Sequence, residues 1–104
     1  MESSTSRLTI TPSEEDPRHL VLSGDIDSYT APDLDAALLA LGPSADVHVE
    51  LPGVAFIDSS GLRVLISAHT ALEERGQRLV LSAPSRAVSR LFEISGLTEH
   101  FHLA

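Results

Sequence analysis

The chain has 104 residues and no cysteine, long enough for one domain with a modest core, and it can form neither a disulfide framework nor a thiolate metal site. Its 15 acidic and 7 basic residues give a formal charge of −8, a field that repels phosphate backbones and argues against nucleic acid as a direct partner. All the basic residues are arginine, which rules out a Walker-A phosphate lysine and a Schiff-base lysine.

With 42% hydrophobic residues in periodic segments, the chain reads as globular. "MESSTSRL" lacks the apolar stretch of a secretory signal, and no apolar run approaches the roughly 20 residues that span a bilayer. A cytoplasmic location, away from membranes, is expected. Residues 1–6 are expected to form a loose tail and residues 7–104 a single domain.

"RLTIT" (7–11) and "HLVLS" (19–23) read as strands around the loop "PSEEDP", and should pair antiparallel. "TAPDLDAALLALG" follows as a helix. Thr30 is its expected N-cap and Asp33 a capping-box acid, with Gly42-Pro43 as the stop. "DVHVEL" alternates, with Val47, Val49 and Leu51 on one face of a strand. Pro52-Gly53 has the order of a type II turn, after which "VAFI" runs extended. From Ser59 to Arg75 the pattern is helical, with Leu62, Leu65, Ile66 and Leu72 on one stripe and Gly76 ending it. "RLVLS" (78–82) is another strand. Pro84 opens a helix to about Ile94 that points Val88, Leu91 and Phe92 inward and closes at Gly96. The last eight residues alternate weakly, as an edge strand or a docked tail would. Strands separated by single helices need crossovers, so the fold class is α/β: a small mixed, mostly parallel sheet with helices mainly on one side.

Polar clusters offer the candidate sites. "DSSG" (58–61) stands where a helix begins, and on cap chemistry alone a plain N-cap is the favoured reading. The functional reading rests on position, because a phosphate on a hydroxyl there would meet free N–H groups and the positive end of the helix dipole. A nucleophilic serine has no G-x-S-x-G elbow, and His69 lies ten residues further along the same helix. Asp25 and Asp27 follow a strand end at a spacing that lets them share a face. They are first of all loop acids near a helix start, and two acids are too few for a metal site. The five histidines are scattered and read as surface residues; His100 and His102, spaced i, i+2, make no specific metal site. Neither a metal nor a cofactor is expected.

Three segments, "LSGDIDSYTAPDL" (22–34), "FIDSSGLRVLISAH" (56–69) and "SRLFEISGL" (89–97), together resemble the STAS family, and within it the bacterial anti-sigma factor antagonists. The resemblance covers roughly residues 7 to 103, with all three motifs in family order. It implies the STAS fold and a non-enzymatic partner in a switching circuit. The unphosphorylated form would bind an anti-sigma factor, a serine kinase with an ATP-binding, histidine-kinase-like fold, and free the sigma factor. The kinase would phosphorylate Ser59, and a metal-dependent serine phosphatase would reverse it. On the same resemblance Asp58, Asp27 and Ser60 surround the phosphosite and Asp25, Gly61 and Leu62 belong to the docking element, with Arg63 beside them as a further partner-binding candidate. Where the family often has a glycine after the motif leucine, this chain has Arg63. Four residues after Ser59, it can reach Asp58 or a phosphate, or simply be an exposed helix arginine. STAS domains also serve as modules of sensory or transport complexes, and some are credited with nucleotide binding; both readings stay open here, as does pairing into a homodimer.

Overall fold

The computed structural model describes residues 7–82, 84–96 and 102–103. Strand β1 (Leu8–Pro12) runs antiparallel to β2 (His19–Ile26), and parallel crossovers then add β3 (Val47–Ile57), β4 (Leu79–Ser82) and the short β5 (His102–Leu103). The strand order in the sheet is the order in the chain. The crossovers carry α1 (Ala31–Leu41), α2 (Ser59–Glu73) and α3 (Arg86–Ser95). The expected layout is met, and the C-terminal segment contributes an edge strand at His102–Leu103; its residues 97–101 and the 1–6 tail lie outside the described residues.

The sheet has one covered face. Leu20 and Leu22 of β2, Val47, Val49, Leu51 and Val54 of β3, and Leu79 and Leu81 of β4 are buried there. Leu34 and Leu38 of α1, Leu62, Leu65 and Leu72 of α2, and Val88 and Phe92 of α3 join them in one cluster, so all three helices cover the same face. The opposite face is half-buried and largely polar. On it His19 stacks on His48 with centroids 4.6 Å apart, His19 contacts Glu50, and His48 meets Ser82.

Two sequence expectations change here. Pro52-Gly53 is not a turn: β3 continues through it to Ile57, and its pairing with β2 slips between Val21 and Ser23 and again between Gly24 and Asp25. These are β-bulges, which absorb a residue without an N–H and bend the strand. Gly53 fits there because a Cβ would lie 2.8 Å from Ser23 Oγ. The expected capping box is also absent, since the Thr30 side chain makes no cap bond to α1. Instead the buried Thr30 hydroxyl donates to the Asp25 carbonyl and accepts the Asp27 N–H, tying the helix start back to β2.

At the far end of α1, Gly42 closes the helix with φ of 72°. The Arg18 guanidinium fastens this end, donating to the carbonyls of Leu41, Gly42, Ala45 and Asp46 at 2.6–3.0 Å.

Candidate functional site

The end of β3 delivers the "DSSG" segment to the surface beside the end of β2. Ile26 pairs with Ile57, and the Asp58 N–H donates to the Ile26 carbonyl at 3.1 Å. Asp58 is the N-cap of α2: its Oδ1 accepts the Ser60 N–H at 2.8 Å and the Gly61 N–H at 3.3 Å. The Asp58 carbonyl takes the Leu62 N–H at 3.1 Å. Ser59 is therefore the first residue of α2, and it is exposed.

This geometry corrects one expectation. A phosphate on Ser59 would not find the amides of Ser60 and Gly61 free, because the carboxylate of Asp58 already holds them. Asp58, the residue that starts the helix, thus already occupies two of the N–H donors an anion there would want.

Gly61 and Leu62 turn inward. A Cβ on Gly61 would stand 2.5 Å from Ile26 Cγ2 and 2.9 Å from Ile57 Cγ1, so the absence of a side chain lets the first turn of α2 sit directly on the two strand ends. Leu62 is 8% exposed, within the core. Ser60 is half-buried and Arg63 exposed. Within one turn, the helix thus presents Ser59 and Arg63 to solvent and fixes itself through Gly61 and Leu62.

The second motif forms the neighbouring rim. Asp25 does not follow the strand end but lies inside β2, where its N–H donates to the Arg7 carbonyl and its register partner is Phe56 of β3. Asp27 Oδ1 accepts the N–H groups of Tyr29 and Thr30, and its Oδ2 pairs with Arg7 at 2.9 Å. Desolvation pushes the Asp27 carboxyl up. The Thr30 and Tyr29 N–H groups, the Arg7 charge and the Thr30 hydroxyl outweigh it, and its pKa falls below the ordinary value. Asp27 thus shapes the loop more than it offers free oxygens.

Arg7, which the sequence reading passed over, also lies over the Tyr29 ring at 5.4 Å. Its partner is twenty residues away, and only the β1–β2 register brings the two together. Tyr29 and Phe56, 77% and 49% exposed, leave aromatic surface on the segments that carry the two motifs. The surface reading of the histidines fails at His69, which is buried in α2 with its Nε2 3.3 Å from Glu73 Oε1.

Among the described residues, no group of three or more His, Asp or Glu side chains is arranged to hold a metal ion. No described helix is long and apolar enough to cross a membrane. A cleft of about 120 Å³ between α1 and α2, lined mainly by apolar residues such as Leu38, Val47, Ala68 and Leu72, is well below the roughly 300 Å³ at which small-molecule sites begin.

A family model described as "Mlab, STAS domain" matches residues 10–103. The chain belongs to the STAS domain family. Among curated relatives, it is similar to an anti-sigma-B factor antagonist of Staphylococcus epidermidis, 33% identical over 84 residues, which are 79% of this chain and 78% of the relative. Among solved structures, an anti-sigma factor antagonist from Mycobacterium paratuberculosis superposes with a TM-score of 0.75 at 29% identity, covering 92% of this STAS domain and 84% of that chain. The phosphorylated form of SpoIIAA, a Bacillus cell fate determinant, shares the fold with a TM-score of 0.65 at 20% identity, over 92% of this chain and 91% of its own. This STAS domain therefore falls among the anti-sigma factor antagonists, which are regulators without catalysis of their own.

Proposed function

We propose that this STAS domain is a phosphorylation-controlled anti-sigma factor antagonist acting in the cytoplasm. Unphosphorylated, it binds an anti-sigma factor that is also a serine kinase, and so frees a sigma factor. Phosphorylation of Ser59 by that kinase ends the binding, and a metal-dependent serine phosphatase restores it. The observation that carries the reading is the exposed Ser59 on the first turn of α2, behind Asp58, in a chain similar to named antagonists over most of its length.

Asp25, Asp27 and Asp58 already make this end of the molecule acidic, and the chain carries −8 overall. A phosphate adds about −1.5 to −2 more at the surface a partner must desolvate. A hundredfold loss of affinity requires about 2.7 kcal/mol, within the reach of one such charge at a packed interface. Gly61 and Leu62 contribute by holding the docking turn against the sheet, while Ser59 and Arg63 are its outward part.

The test is a reconstitution with the cognate anti-sigma kinase and ATP. Wild type should gain one phosphate, mapped to Ser59 by mass spectrometry, and Ser59→Asp should be released from the kinase in a pull-down. Equal phosphorylation of Ser59→Ala, or equal capture of wild type and Ser59→Asp, would sink the reading.

A further inference from the structure

The same geometry decides where the charge of a phosphate on Ser59 would go. The amides of Ser60 and Gly61 are held by Asp58. Arg7 is engaged with Asp27 and Tyr29, and Arg18 with four backbone carbonyls at the other end of α1. Arg63 is different: it is exposed on α2, and among the described residues none holds its side chain by a hydrogen bond or ion pair. It stands four residues after Ser59 in a continuous helix, the spacing at which side chains on one face meet.

We infer that Arg63 is the built-in counterion of phosphorylated Ser59, a positioning residue that folds back along α2 and pairs its guanidinium with the phosphate oxygens. This rests on Ser59 being the modified residue and extends that reading to the regulation of the site. A guanidinium matches phosphate geometry with two parallel N–H donors, so the pair has a defined form at the helix surface. Phosphorylation then does two things at once: it adds negative charge at the docking turn and withdraws the one outward-facing cation of that turn from any partner.

The phosphate itself reports the pairing. A nearby cation favours the dianion and lowers its second pKa from an ordinary value of about 6. The acids near Ser59, Asp58 at the cap and Asp25 and Asp27 on the adjoining rim, act in the opposite sense, but equally in all the variants compared. Phosphoserine is installed at position 59 during synthesis by codon suppression, so that no kinase is needed, and the full chain is titrated by phosphorus NMR. Arg63→Gln should raise the second pKa by about 0.2–0.4 unit, the size of one exposed helix ion pair. Arg63→Lys should recover much of that shift. Arg75→Gln, which removes an equal charge beyond the far end of α2, should leave the value where it was. If Arg63→Gln and Arg75→Gln titrate alike, Arg63 is not the counterion. Failure of the phosphoswitch reading would look different: a cognate kinase would leave Ser59 unmodified, while the titration of the synthetic phosphoprotein would still read out Arg63.

Discussion

Gly61→Ala is the sharpest probe of how α2 is seated. The new Cβ would come within 2.5 Å of Ile26 Cγ2 and 2.9 Å of Ile57 Cγ1, where ordinary contact begins near 3.4 Å. Ile26 is fully buried and Ile57 is 6% exposed, and both are β-branched with few rotamers to escape into. Overpacking of this kind costs about 1–3 kcal/mol. Helix propensity works the other way, since alanine is favoured over glycine by up to about 1 kcal/mol in a helix interior and by less in a first turn. The net expectation is a loss of about 1–2 kcal/mol. With a urea m-value near 1.5 kcal/mol/M, the unfolding midpoint should fall by roughly 1 M. The assay is equilibrium urea unfolding followed by far-UV circular dichroism, with the m-value checked for constancy. A midpoint equal to or above wild type would refute the close seating of the helix start on Ile26 and Ile57.

Three other sets of substitutions test the polar contacts, two beside the site and one at the far end of α1. Asp58→Ala removes both cap bonds and should lower stability by about 1 kcal/mol, whereas Asp58→Asn keeps an acceptor and should cost only a few tenths; equal losses in urea unfolding would contradict the capping role. Asp27 has a folded-state pKa below its unfolded one, so its contribution is present above the unfolded value and is lost as pH falls through the folded value. Asp27→Asn should therefore lower Tm at neutral pH, with the gap to wild type closing as pH drops below the ordinary carboxylate value of 3.8; a gap that widens in acid would overturn this. Arg18→Ala frees four carbonyls at the α1 terminus and should cost about 2 kcal/mol, and Arg18→Lys should not rescue it, because one ammonium cannot span the fork.

Local pattern carried most of the fold into view. The alternation of Val47, Val49 and Leu51 and, on the stripe of Leu62, Leu65, Ile66 and Leu72, all but the partly buried Ile66 mark buried positions, because a one-sided core imprints the strand and helix periods on the sequence. What stayed hidden depends on contacts between distant segments. Pro52-Gly53 is a turn by dipeptide rules, yet β2 lies alongside and supplies partners on either side of the bulge. Thr30 is a good cap by type, but its hydroxyl is drawn to Asp25 and Asp27 across the bend it makes. Arg7 could be linked to Asp27 only after the register of β1 on β2 was known. At the candidate site the sequence singled out Ser59 and Asp58, but not that Asp58 already holds the amides of Ser60 and Gly61.

The division of labour within the first turn of α2 has a consequence for any switch built there. Residues that fix the turn, Gly61 and Leu62, point into the core, and residues that a partner or a kinase can reach, Ser59 and Arg63, point out. Adding charge to Ser59 alters the outward set alone, so the folded state need not rearrange for binding to change. Substitutions should therefore separate along two axes. On the proposed docking of a partner at this turn, inward changes such as Gly61→Ala should weaken binding only as they lower stability, because both effects follow from displacing the turn. Outward changes at Ser59 or Arg63 alter affinity at nearly constant stability. A Ser59→Asp protein that lost several kcal/mol of unfolding free energy would break this separation and would require a conformational change in place of a purely surface mechanism.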